Sequence, residues 1–266
     1  MFDLKLKEVW QYRDLIWLFT KRGFVVSYKQ TILGPLWLFL NPLLTSVVYV
    51  ILFGNIAKLS TDGIPQLLFY LSGNAIWTYF SGCLSGNAST FTGNARLFGK
   101  VYFPRLVIPF SNVLSSILRF GIQMILVLAV LVFYAAKGQV HPNWWAWLLL
   151  PVLLLWLGIM GMGIGLIVSS VTTKYRDLSV LVGFGLQLWM YATPVVYPLS
   201  VVHGSLRALL LLNPVTQVVE LFRYAVLGIG NVSVWNILWS WAVAFAAVLS
   251  GIVIFHRIER TFMDTV

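Results

Sequence analysis

Charge is scarce in this chain, and acid is scarcer: eight acidic and eighteen basic residues together make up 10% of 266 residues. A soluble domain carries about 25% charged residues, so a water-facing globule of this size is excluded. The single cysteine, Cys83, rules out an internal disulfide and any multi-cysteine metal site. The three histidines, His141, His203 and His256, stand far apart at different expected membrane edges, which argues against a metal centre. Residues 1–30 carry charges throughout and show no short apolar core before a small-residue cleavage site, so no cleavable signal peptide is expected. A nucleotide site is missing too. Gly93-Asn-Ala-Arg-Leu-Phe-Gly99-Lys100 has five residues between its glycines instead of four, and Val101 stands where a phosphate loop needs a magnesium-binding hydroxyl. The sequons at Asn87 and Asn231 read as chance.

What is present is apolar surface. Hydrophobic residues are 59% of the chain and mean hydropathy is +0.87, more than a core of this size can bury, so lipid must cover much of it. About 20 residues cross a bilayer core, and the runs predict an all-α integral membrane protein with six spans. These fall at about 36–59, 65–86, 107–136, 144–171, 178–196 and 234–255. Residues 1–34 form a separate cytoplasmic interface element, ahead of a transmembrane domain over 35–266. In that element Asp3, Lys7, Gln11, Asp14 and Lys21 recur at helical steps. Val9, Tyr12, Ile16 and Phe19 recur on the opposite side, the pattern of an amphipathic surface helix. Gly34-Pro35 ends it. Between the fifth and sixth spans, Tyr197–Gly230 is broken by Pro198, His203-Gly204, Arg207 and Asn213-Pro214, which suits two re-entrant or interfacial helices. Asn213-Pro214 reads as an N-cap followed by proline at the first helical position.

With both termini inside, thirteen basic residues are cytoplasmic and four (Lys58, Lys137, Arg207, Arg223) are outside, with Arg119 within a span. The positive-inside rule favours that orientation, and topology rather than nucleic acid accounts for most of the +10 net charge. Arg119 lies 14 residues past Arg105, about 21 Å along a helix. Two readings stand: a residue near the interface or on carbonyls, and a cation lining a polar path that attracts an anion. Glu220 and Arg223, three apart on one helical face, are expected to pair, either to hold the outer re-entrant helix or as a gate contact. Trp144, Trp145, Trp147, Trp235, Trp239 and Trp241 sit near span ends as interfacial belts. Trp37, Tyr49, Trp77, Tyr79, Phe80, Trp189, Tyr191 and Tyr197 are candidates for stacking on sugar rings, weighed against belt or packing roles. The cytoplasmic connector with Arg96, Lys100, Tyr102 and Arg105, and the loop with Lys174, Arg176 and Asp177, are short and charged, as docking segments would be. Gradient-driven carriers show midspan acids or paired broken helices; neither is found, which favours an external motor. A membrane enzyme would need carboxylates or histidines at one face, and Asp62 and Asp177 stand alone. A scaffold would need neither Arg119 nor a re-entrant pair.

Several short motifs run through the chain in order: Tyr28-Lys-Gln-Thr-Ile-Leu-Gly34-Pro-Leu-Trp37, Asn41-Pro42, Lys100-Val-Tyr-Phe-Pro104-Arg105, Tyr175-Arg176-Asp177, Thr193-Pro194-Val-Val-Tyr197, Asn213-Pro214 and Phe222-Arg223. On these the sequence resembles the membrane subunit of ABC-type polysaccharide exporters of the O-antigen group, with capsule and teichoic acid exporters as relatives. The resemblance implies a homodimer in the bacterial inner membrane, each copy docked to a separate ATPase that holds the ATP and magnesium, with no cofactor in this chain. It implies a coupling helix around Arg96–Arg105 and an outer gate at Tyr197, Asn213, Pro214, Glu220 and Arg223. The cargo would be a glycan on undecaprenyl diphosphate, with Arg22 and Lys29 as candidate holders of the diphosphate.

Overall fold

A computed structural model describes residues 6–173, 175 and 177–262; Lys174 and Arg176, both expected docking residues, and Asp3 lie outside the described residues, as does the side chain of Arg96. Every regular element among the described residues is helical. The segment expected to be a surface helix forms two helices, α1 (Leu6–Gln11) and α2 (Arg13–Tyr28), broken at Tyr12. Val9 is buried, and Tyr12, Ile16 and Phe19 pack with it against Phe91, Phe98, Phe103 and Phe255. The remainder of α2 is less polar than a surface helix should be. Trp17, Leu18, Val25 and Val26 of α2 are exposed, as is Trp10 of α1, so the two helices have an apolar outer aspect as well as an apolar inner one.

Gln30 and Gly34 take positive φ at the turn after α2. A 3-10 turn, α3 (Trp37–Tyr49) and a π-helical segment over Val50–Ile56 then make one apolar span, Gly34–Ile56. α4 (Gln66–Ala88), α5 (Thr90–Phe98) and α6 (Val107–Ala136) follow. A 3-10 segment leads into α7 (Leu150–Thr172), then come α8 (Leu178–Tyr191), α9 (Gly204–Leu212), α10 (Pro214–Leu227) and α11 (Val234–Phe262).

Among the described residues, four helical segments are long and apolar enough to cross a membrane: 34–56, 107–136, 144–172 and 234–258. The α9–α10 pair also passes if it is taken as one element, bent by 92° at Asn213. Two of the six expected spans do not pass on length and composition. α4 has 23 residues but carries Ser72, Asn74, Thr78, Ser81, Ser85 and Asn87. It can do so because protein surrounds it: sixteen of its residues are buried. α8 stops at Tyr191, five residues short of the expected end, because the chain turns at Ala192 and Pro194. Its 14 residues rise about 21 Å, less than the roughly 30 Å core.

α7 is the centre of the bundle. Gly158, Gly161 and Gly165 put its backbone against α4, where an added Cβ would collide with Tyr79, Cys83 or Asn87. On the other side Gly163 meets the backbone of Ala247 and Val248, and Gly251 meets Gly163. Small residues at such crossings let helix backbones approach closely, which drives helix association where lipid removes the hydrophobic incentive. The main core lies between α4, α6, α7 and α10, around Phe69, Phe80, Phe120, Trp156 and Phe222.

Candidate functional site

At one end of the bundle, α5 and the following loop form the connector. Tyr102 is 85% exposed and Lys100 is exposed. Arg105 has the opposite environment, 7% exposed, with its guanidinium 5.3 Å from the Phe98 ring centre. A cavity of about 280 Å³ opens here, lined by Val9, Lys100, Tyr102, Phe103, Arg105 and His256. The connector is anchored by the Phe91–Phe255 stack at 4.4 Å and by the Phe91 N–H donating to Ser169 Oγ at 3.1 Å. Tyr175 and Asp177 of the neighbouring loop are exposed.

A larger cavity, about 550 Å³, lies between α2, α5 and the start of α6. Arg22 and Lys100 line it with Asn94 and Asn112. Lys29, the sequence's other candidate, is exposed and does not line it. Further along α6, Arg119 sits 12 residues from the helix start, about 18 Å in, so the helix begins early and not near Arg119. It is half-buried, and its Nε is buried without a partner. No acid among the described residues pairs with it. Burial pushes the Tyr28 hydroxyl pKa up while Arg119 opposes the shift, so the end of α2 lies within electrostatic reach of that guanidinium.

The aromatic candidates divide by environment. Tyr79 is 2% exposed, packs on Phe120 and donates to the Leu154 carbonyl at 2.8 Å, so its ring has no free face. Trp77 is buried against Phe80. Trp37, Tyr49, Trp189 and Tyr191 are at least partly exposed. Tyr49 Oη contacts Met190 Sδ at 3.4 Å, which ties α3 to α8.

At the opposite end the scattered motifs converge. Asn213 caps α10 by accepting from the Val215 N–H at 3.1 Å, and Pro214 is the first helical residue. Its Nδ2 donates to the Ala192 carbonyl at 2.8 Å and to Thr193 Oγ1 at 2.9 Å, and its Oδ1 accepts from Trp189 Nε1 at 3.1 Å. Arg223 Nη2 donates to the Val195 carbonyl at 2.8 Å, and Nη1 lies 3.4 Å from both Tyr197 O and Glu220 Oε1. The expected pair therefore exists, and it is buried: Glu220 is 3% exposed and Arg223 1%. The guanidinium also lies 4.0 Å above the Phe69 ring of α4. Glu220 Oε2 accepts from the Asn231 N–H at 2.8 Å, and Tyr197 Oη donates to the Tyr191 carbonyl at 2.9 Å. One buried ion pair thus binds the turn after α8, α10, the loop after it and α4.

The sequence reading missed the helix-crossing glycines and the cavity that Arg22 and Lys100 both line. Gly161-xxx-Gly165, a small-xxx-small spacing inside an apolar run, was a signal for the first. Nothing local signals the second, because the two residues are 78 apart.

Residues 14–227 match the family model described as "ABC-2 type transporter". The chain belongs to that family. As an ABC-2 membrane protein it is similar to the O-antigen export system permease protein RfbA of Myxococcus xanthus, 32% identical over 82% of each chain. A Klebsiella pneumoniae protein of the same description is 28% identical over 94% of each. The polysialic acid transport protein KpsM of Escherichia coli is 26% identical over 73% of this ABC-2 chain and 74% of its own.

Proposed function

We propose that this chain is the permease subunit of an ATP-driven exporter that moves lipid-linked O-antigen polysaccharide across the bacterial inner membrane. The observation that carries the reading is the likeness to O-antigen export permeases over nearly the full length of both chains. In this reading two copies form the conduit and two separate ATPase subunits supply the work, with ATP and magnesium held there. Each copy has six spans, with α4 and α8 crossing inside the dimer and both termini cytoplasmic. The exposed connector residues Lys100 and Tyr102, with Arg96 and the Lys174–Asp177 loop, receive the ATPase. Partly exposed aromatics such as Trp37 and Tyr191 line the path, and apolar ring faces suit sugars without holding them. The buried Glu220–Arg223 pair braces the outer gate. A capsular polysaccharide is the second reading, favoured by the likeness to the polysialic acid transport protein.

The test is export in cells lacking their own permease. Supplying this chain with its cognate ATPase should restore surface O-antigen, and a hydrolysis-dead ATPase should abolish it. Restoration of capsule but not O-antigen would select the second reading. Transport by the purified chain alone, without ATP, would overturn both.

A further inference from the structure

Two cations and no acid line the 550 Å³ cavity. Neither the Arg22 nor the Lys100 side chain makes an ion pair or hydrogen bond among the described residues. Of the neighbouring amides, Asn94 Nδ2 gives one hydrogen to the Thr90 carbonyl at 3.0 Å and Asn112 Nδ2 one to the Gly86 carbonyl at 2.9 Å, which leaves each a second N–H. The charged donors that line the cavity are a guanidinium and an ammonium. A guanidinium grips phosphate oxygens as a fork and an ammonium acts as a point charge, so a cavity lined by both suits a phosphorylated anion.

The rest of the wall is apolar. Phe19, Leu97 and Ile108 contribute to it, and Val26 at its rim is 64% exposed. Leu18 and Val25, on the neighbouring side of α2, are also exposed. A free anion would leave this surface unused, whereas a headgroup carrying a hydrocarbon tail would cover it. Seven residues beyond Asn112 on α6, two turns and about 10.5 Å further, the same helix face carries the unpaired Arg119.

We propose that this cavity holds the diphosphate head of the lipid carrier, gripped by Arg22 on α2 and Lys100 on the connector, with Arg119 as the next cation along the path. The proposal rests on the export reading above and deepens it. Lys100 replaces Lys29 as the partner of Arg22. Because Lys100 also belongs to the segment proposed to receive the ATPase, movement of the connector would change the grip on the headgroup.

The experiment uses the full-length permease with its ATPase in phosphatidylcholine nanodiscs and measures retention of labelled undecaprenyl diphosphate. Wild type should bind it, with undecaprenol, phosphatidylglycerol and inorganic diphosphate failing to compete at equal concentration. Arg22→Gln and Lys100→Gln should each weaken binding about tenfold, as expected for loss of a charge-assisted contact, and the pair more. Lys29→Gln, which removes the same charge outside the cavity, should change nothing. The proposal is overturned if the double variant binds as wild type does, if Lys29→Gln weakens binding equally, or if phosphatidylglycerol competes. Competition by inorganic diphosphate would make the cavity a free-anion site and overturn the lipid assignment. Wild type that binds no carrier would remove the substrate of the export reading itself, whereas unchanged binding after both substitutions overturns this site alone.

Discussion

Arg223 Nη2 donates to the carbonyl oxygen of Val195 at 2.8 Å, across 28 residues of chain. The bond fixes the turn after α8 to α10, and the same guanidinium neutralises Glu220. Removing one member of a buried pair strands the other, at about 3–5 kcal/mol. Arg223→Met should therefore lower the melting temperature of the purified protein sharply. Arg223→Met with Glu220→Gln should recover part of the loss. A double variant no more stable than the single one would show that the carbonyl bonds, not the charge, dominate.

The glycine crossings of α7 make a second prediction. Gly163→Ala drives a Cβ into the backbone of Ala247 and Val248, where no side chain can swing away. Overpacking of this kind costs about 1–3 kcal/mol. Gly183→Ala and Gly185→Ala add a methyl in open space on α8 and should be neutral. Thermal denaturation of the three variants in one detergent checks the ranking.

Tyr102 and Arg105 share a motif but not an environment, so their alanine variants should fail differently. Tyr102→Ala removes an exposed ring and should change stability by less than about 0.5 kcal/mol while export falls and ATP hydrolysis continues. Arg105→Ala removes a buried stem packed on Phe98 and should reduce the amount of folded protein. Normal export by Tyr102→Ala would end the docking role.

An unpaired arginine deep in a span costs about 2.5–3.5 kcal/mol on insertion scales. Arg119→Leu should therefore yield protein at least as stable as wild type, yet impaired in export; Arg119→Lys should retain part of the activity. Normal surface glycan with Arg119→Leu would assign the residue to packing alone. Comparing surface polysaccharide with the melting curve of each variant separates the two roles.

Much of this was readable in the sequence because local signals carry it. α6 runs over the expected residues, Asn213-Pro214 caps a helix, and Glu220 and Arg223 pair because three residues bring them onto one face. The failures have a common cause. α8 was read five residues too long because an apolar run continues past the turn at Pro194. Tyr79 was read as a possible sugar platform, but its burial depends on Gly158 of another helix leaving room for it. Arg22 and Lys100 line one cavity although 78 residues separate them, which no local spacing signals. Spacing reports one helix at a time and says nothing of which helices will touch.

Burial is unevenly shared among the helices. α8 buries only Met190 and α3 only Leu38, Pro42 and Ser46, while α4, α7 and α11 interlock through glycine. Segments with few buried contacts shift at the lowest free-energy cost. The interlocked trio therefore acts as a rigid frame, and any widening of a passage will be taken up where α3 and α8 touch through Tyr49 and Met190.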